Sequence, residues 1–228
     1  MRRPVLILWD IDNTLLYSGG AGSLGMRRAF HTLYGIDDAF ASVEFSGRTD
    51  SAIFRDAARA HGFPEQALDA EQSRFLEAYV PCLEVALKET RGALMPGVAA
   101  ALEALGTTDG VVQALGTGNF RRGGEAKLRH FGIDSHFPGM PGGFGEEHED
   151  RAVVIGGAIR RLTGGNGHRV IIIGDTPHDV TAARANGAFA LAVATGRDSV
   201  ERLLAAGAEV ALEDLRDLDR LMAIVLAE

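Results

Sequence analysis

At 228 residues, with 46% apolar and 24% charged, the chain has ordinary globular composition and length enough for one large core, or a core with an inserted unit. A formal charge of −8 with no cluster of lysines and arginines argues against a nucleic-acid surface, and no apolar run approaches the ~18 residues of a membrane span. The single cysteine, Cys82, excludes an internal disulfide, suits a reducing cytoplasm and reads as a packing residue.

The amino-terminal Met1-Arg2-Arg3-Pro4 and the apolar residues after it have the outline of a secretory signal, but the apolar stretch is short and Asp10 ends it. Val5 to Trp9 is an uninterrupted apolar run, the pattern of a strand buried on both faces. It leads into Asp10-Ile11-Asp12-Asn13-Thr14. Burying a carboxylate costs several kcal/mol unless it is paired or bound to a metal, so these acids belong at the strand's carboxyl end, the open edge where parallel sheets bind ligands.

For the next seventy or so residues the pattern is helical. Met26, Phe30 and Leu33 recur at helical spacing, then Ile53, Phe54, Ala57 and His61, then Phe75, Leu76, Tyr79, Val80, Leu83 and Leu87. Asp69 with Gln72 resembles a capping box at the start of the third pattern, and Pro81 predicts a kink or a split within it. From Met95 onward the chain alternates. A helix through Val98, Leu102 and Leu105 precedes a strand at Val111 to Leu115, and a helix from Arg121 to Phe131 precedes a Gly/Pro-rich loop from Pro138 to Gly145. A helix around Ile155 to Leu162 ends at Gly164-Gly165; then come a strand at Val170 to Ile173, a helix at Val180 to Asn186, a strand at Phe189 to Val193, and helices from about Ser199 and Leu215. This predicts an α/β fold: a doubly wound, parallel-sheet, Rossmann-like core formed by 1–16 and 91–228, with an all-helical cap inserted at 17–90.

The polar strand ends converge on one edge of such a sheet. Asp10 and Asp12 follow the first strand; Thr117, Gly118 and Asn119 follow the second; Lys127 lies in the next helix; Asp175 and Asp179 follow Val170 to Ile173. Two carboxylates at one point repel unless a cation sits between them, and Mg²⁺ takes oxygen ligands, which makes Asp10 and Asp175 metal candidates. Asp10 can attack phosphorus, Asp12 can protonate a leaving alcohol, and Thr117, the Gly118 and Asn119 N–H groups and Lys127 can hold phosphate oxygens. In the insertion, Arg48 within Gly47-Arg48-Thr49-Asp50 can grip an anionic group of the substrate. Tyr17 and Ser18 fall at the hinge into the insertion, and His178 is expected to support the site or lie on the surface, since Mg²⁺ prefers oxygen.

Asp10-x-Asp12-x-Thr14, Thr117 at a strand end, Lys127 and Gly174-Asp175-x-x-x-Asp179 together resemble the haloacid dehalogenase superfamily of phosphohydrolases across essentially the whole chain. The helical insertion, Gly143-Phe144-Gly145 with Asp150-Arg151, and Gly174 to Val180 are similar to its phosphoglycolate-phosphatase-like branch. The resemblance implies a Mg²⁺-dependent phosphomonoesterase with Asp10 as nucleophile, Asp12 as acid and base and, through its main-chain carbonyl, metal ligand, and Asp179 supporting the metal ligands from behind. Asp12 argues against dehalogenation itself. Gly118 departs from the hydroxyl residue many relatives carry, losing one hydroxyl and keeping the backbone donor. A sugar-phosphate mutase of the β-phosphoglucomutase type and a non-catalytic phosphate-binding protein are the competing readings; phosphonate cleavage would need a cap lysine better placed than Lys88. The expected partner is a small phosphorylated metabolite, with neither nucleic acid nor membrane, and the expected state is a monomer or homodimer in the cytoplasm.

Overall fold

The computed structural model describes residues 3–165 and 167–227; Met1 and Arg2 of the amino-terminal stretch lie outside them. Six parallel strands form the main sheet in the order β5-β4-β1-β6-β7-β8. They are β1 (Val5–Trp9), β4 (Val111–Gly116), β5 (Gly142–Gly143), β6 (Arg169–Gly174), β7 (Phe189–Val193) and β8 (Val210–Leu212). Helices α4 (Val98–Gly106), α5 (Arg121–His130), α6 (Arg151–Thr163), α7 (Pro177–Ala185), α8 (Val200–Ala205) and α9 (Leu218–Val225) follow or join them. The continuous apolar run of β1 has a direct cause. Val5, Ile7 and Trp9 enter one core, with Leu102, Leu128 and Leu221, while Leu6 and Leu8 enter the other, with Ile155, Val180 and Leu203. Both faces of the central strand are covered, so neither can be polar.

The remaining elements lie between two short strands, β2 (Leu16–Tyr17) and β3 (Ala93–Leu94), which pair antiparallel through Leu16 with Leu94 and Tyr17 with Ala93. They are α1 (Ala21–Tyr34), α2 (Asp50–Ala60) and α3 (Leu68–Glu89), and they bury their own cluster around Phe30, Phe54, Phe75 and Tyr79. Phe120 and Ala126 of the sheet unit join that cluster.

Four local expectations change. Pro81 does not split its helix: α3 runs unbroken over 22 residues with Pro81 on its exposed side, where the carbonyl its ring displaces is free to meet water. Asp69 does not cap α3, which starts at Leu68 after Ala67 without a side-chain cap; Asp69 pairs instead with Arg55. The loop from Pro138 to Gly145 contains edge strand β5, with Leu115 opposite Gly142 and Gly116 opposite Gly143. Finally, β8 adds a strand where none is predicted. Strands of two and three residues are too short to carry a period. No helix among the described residues is long and apolar enough to cross a membrane.

Candidate active site

The strand order reverses at β1, which lies between β4 and β6, and ligands bind at such switch points beyond the carboxyl ends of the strands. The chain leaves β1 at Asp10, whose N–H still bonds to the carbonyl of Ile173 at 2.9 Å, then turns sharply through Asn13 in the left-handed region at φ 59°. Asn13 and Leu16 close the turn at 2.7 Å. The turn sets Asp10 facing β6 and Asp12 facing α5.

Two clusters result. In the first, Asp10, Asp175 and Asp179 bring carboxylate oxygens within 4.8 Å of one another, all buried. Asp179 is held by a capping box at the start of α7, its Oδ2 accepting from the Thr176 N–H and hydroxyl at 3.1 and 2.7 Å. Thr14 donates to Asp175 at 3.3 Å. Into this group reaches Arg151, the first residue of α6, with Nη2 at 2.6 Å from both Asp10 and Asp179. Burial, joined by neighbouring acids, raises the proton affinity of Asp10 and Asp175, and Arg151 opposes the rise. Burial also works against the charge on Arg151, but Asp10 and Asp179 outweigh it and keep the guanidinium protonated.

In the second cluster, Asp12 Oδ2 accepts from Lys127 Nζ at 2.6 Å and from Asn119 Nδ2 at 2.8 Å. Lys127 also donates to Asn119 Oδ1 at 2.6 Å, and Asn119 Nδ2 donates to Thr117 Oγ1 at 2.9 Å. Lys127 and Thr117 are buried, whereas the Asp12 side chain is 37% exposed, so Asp12 is the open member. The Thr117 hydroxyl accepts in these bonds, leaving its own proton to donate.

The structure brings Asp10, Asp12, Thr117, Asn119, Lys127, Asp175 and Asp179 into two clusters and leaves Arg48 outside both. Lys127 contacts Asp12, and the cation beside Asp10 is Arg151, for which sequence reasoning has no role. A signal for it existed. Arg151 opens a helix, at the positive end of the helix dipole, where a cation is disfavoured unless something outside the helix holds it. Asp179, expected behind the metal ligands, stands level with Asp10 and Asp175. Arg48 is not brought to either cluster. Its guanidinium pairs with Asp56 at 2.6 Å and lines, with Glu149, Arg151 and His178, a cavity of about 190 Å³ that borders the first cluster at Arg151. His178 is exposed. Tyr17 is exposed and Ser18 buried at the start of the insertion.

The insertion sits directly on the second cluster. Gly118 makes this contact possible, because a side chain there would meet the Arg48 carbonyl oxygen at 2.3 Å. Its own carbonyl accepts from the Asp50 N–H at 2.7 Å, and Asp50 Oδ2 accepts from the Phe120 N–H at 2.8 Å. Burial pushes the Asp50 carboxyl up to about 7, with Lys127 and the Phe120 N–H pulling it back. The folded state thus holds this proton more tightly than the unfolded chain, whose carboxyl titrates near 3.8, so stability falls as pH rises between those values. Asp50→Asn keeps an acceptor for Phe120 and removes the charge. Denaturant titrations should show the variant gaining on the wild type by up to about 4 kcal/mol between pH 4 and pH 8; a constant difference would refute the assignment.

The first cluster fits a divalent cation. Three buried carboxylates face one guanidinium, and Asp179 Oδ1, close as it is to Arg151, makes no hydrogen bond. An all-oxygen donor set with excess negative charge suits a hard ion such as Mg²⁺ or Mn²⁺.

Fold and site define an α/β enzyme with an acidic centre at a sheet switch point and a helical insertion above it. Residues 5–187 match the family described as hydrolase, haloacid dehalogenase-like hydrolase, and the chain belongs to that family. Among curated proteins it is similar to the phosphoglycolate phosphatase of Mesorhizobium japonicum (strain LMG 29417 / CECT 9101 / MAFF 303099), at 27% identity over 203 residues, covering 86% of this chain and 85% of that one. Among solved structures it is similar to a Clostridium acetobutylicum protein assigned as a phosphatase, with TM-score 0.70, 18% identity and coverage of 98% and 100%. It is also similar to a Thermotoga maritima protein assigned as a beta-phosphoglucomutase, with TM-score 0.59, 21% identity and coverage of 99% and 100%. At these identities the structural neighbours establish the fold alone.

Proposed function

We propose that the chain is a Mg²⁺-dependent phosphatase that hydrolyses a small, phosphoglycolate-like phosphomonoester through an aspartyl-phosphate on Asp10. The observation that carries this reading is the division of labour between the two acids of the first turn. Asp10 lies buried against a cation, and Asp12 is open and gripped by Lys127 and Asn119. A carboxylate held still and relieved of its charge by Arg151 can approach an anionic phosphate, and the neighbouring carboxyl can move protons.

In the first half-reaction an oxygen of Asp10 forms a bond to phosphorus and the ester P–O bond breaks. The departing alkoxide takes the proton of Asp12. In the second half-reaction Asp12 removes a proton from water, the water oxygen attacks phosphorus, and the bond to Asp10 breaks to release inorganic phosphate. Thr117, the backbone N–H groups of Gly118 and Asn119, and Lys127 are the proposed phosphate donors. Bound by Asp10, Asp175 and the Asp12 carbonyl, with Asp179 beside them, Mg²⁺ would supply positive charge to the phosphate oxygens. The name of the Mesorhizobium japonicum relative supports the substrate class.

A mutase needs a second phosphate anchor in the insertion. Arg48, the candidate for it, is taken by Asp56, which favours hydrolysis. The test is inorganic phosphate release from phosphoglycolate, glycerol phosphate, glucose phosphates and a nucleoside monophosphate, with Mg²⁺ and with chelator. Metal-dependent release, highest for phosphoglycolate, is expected. Interconversion of glucose phosphates without release would support the mutase instead, and equal release in chelator would overturn the metal dependence.

A further inference from the structure

The helical insertion meets the sheet unit in two chemically different ways. Along α3 and α5 the contact is apolar: Phe120 and Ala126 enter the cluster of Phe75 and Tyr79. Along α2 it is polar and ionic. Thr49 Oγ1 donates to the Glu149 carbonyl oxygen at 2.9 Å, and Arg151 Nη1 donates to the Gly47 carbonyl oxygen at 3.3 Å. Parting an apolar contact exposes it to water at full cost, whereas polar groups exchange one partner for another at modest net cost. The α2 side is therefore the one that parts.

Glu149 stands at the centre of that side. It precedes Asp150, the cap of α6, and lies two residues before Arg151. Arg59 Nη1 and Nη2 donate to its two carboxylate oxygens at 3.0 and 3.3 Å, and Arg55 Nε lies 3.6 Å from one of them. The two arginines stand one turn apart on α2 and so share a face. Each is already held by the insertion itself. Arg59 donates to both oxygens of Glu65, at 2.7 and 3.2 Å. Arg55 pairs with Asp69 and donates to Gln72 at 3.1 Å.

These inner partners make the contact releasable. Lifting α2 away leaves Arg55 and Arg59 still paired, so no stranded charge opposes the movement. Glu149 alone loses its partners and, being partly exposed, is taken up by water. On return the arginines meet it already oriented, so closing freezes little further motion. We propose that Glu149 is a positioning residue: the catch on which Arg55 and Arg59 close the insertion over the acidic centre, bringing the Gly47 carbonyl onto Arg151 and holding that guanidinium against Asp10. The kinetic part of this assignment rests on the phosphatase reading; the movement does not.

Glu149→Gln and Arg59→Gln, singly and together, test it on the full chain supplied with Mg²⁺. The readouts are turnover of p-nitrophenyl phosphate and hydrogen exchange at the Asp50 amide, which bonds across to the Gly118 carbonyl at 2.7 Å. At low ionic strength each single variant should lose about fivefold in kcat, the upper worth of a partly exposed ion pair, with KM little changed because Arg151 acts on the bound ester. The double variant should lose no more than either single one, since both substitutions remove the same contact. Raising NaCl from about 0.05 to about 0.5 M should erase the lead of the wild type over the variants, as screening dissolves the pair. The Asp50 amide should exchange about fivefold faster in each variant.

Losses that add in the double variant, or a wild type that keeps its lead in high salt, would overturn the pairing. Wild-type kcat in Glu149→Gln together with faster Asp50 exchange would overturn the link to Arg151, and wild-type values in both readouts would overturn the catch altogether. Absence of release from p-nitrophenyl phosphate in every form would overturn the phosphatase reading, while Asp50 exchange would still decide for or against the catch.

Discussion

Replacing Asp10 by asparagine should lower phosphate release about 10⁵-fold, with the fold retained. Asparagine matches aspartate in shape, and Asp10 is surrounded by groups that stay in place: the Ile173 carbonyl bonded to its N–H, and Arg151 still paired with Asp179. What disappears is the nucleophilic oxygen. An amide oxygen attacks phosphorus poorly, and no other carboxylate stands at the end of β1 facing the metal candidates. The measurement is single-turnover phosphate release together with acid-quenched covalent labelling. Wild type should carry acid-stable label during turnover and Asp10→Asn none. Label persisting on the variant would move the nucleophile elsewhere.

The second large effect concerns Arg151. Replacing it by methionine leaves Asp10, Asp175 and Asp179 buried with no cation among them. Breaking a buried pair by removing one partner costs about 3–5 kcal/mol, a large share of a domain's total stability. Turnover should fall about 10²–10³-fold, mainly in kcat, because the phosphate must then approach an uncompensated carboxylate. Denaturant titrations should show the loss in chelator, and Mg²⁺ should restore more stability to Arg151→Met than to the wild type, since the ion meets a site with one positive charge fewer. Arg151→Lys should recover part of both losses, as a point charge can reach one carboxylate where the planar fork of arginine spans two. Wild-type kcat in Arg151→Met would show that the cation only fills space.

Much of this centre is legible in the amino-acid sequence alone. An apolar run that ends in two acids has few physical explanations, and β1 with Asp10 and Asp12 is the plainest case. The same holds for β6 and Asp175. In each case a buried strand forces its polar end to the sheet edge, so sequence position fixes spatial position. Arg48 and Arg151 show where that logic stops. Neither follows a strand directly, so the run of residues says nothing about which way the side chain turns. Asp56, which takes Arg48, lies two helical turns onward, and the acids that take Arg151 come from β1 and α7. Tyr79 is read correctly as a core residue of α3 from its spacing, and that spacing conceals its hydroxyl.

The paired strands β2 and β3 have a consequence of a different kind. The chain departs for α1 and returns from α3 through Leu16–Tyr17 and Ala93–Leu94, side by side, with Leu16 opposite Leu94. Exit and entry share one narrow stalk, so everything between them can be lengthened, shortened or exchanged without altering a single strand of the six-stranded sheet. Asp10, Asp12, Thr117, Lys127, Arg151 and Asp175 all lie outside that stretch, while Arg48 and Asp50 lie within it. Such wiring marks the stalk as the natural joint for grafting a foreign helical unit onto this sheet.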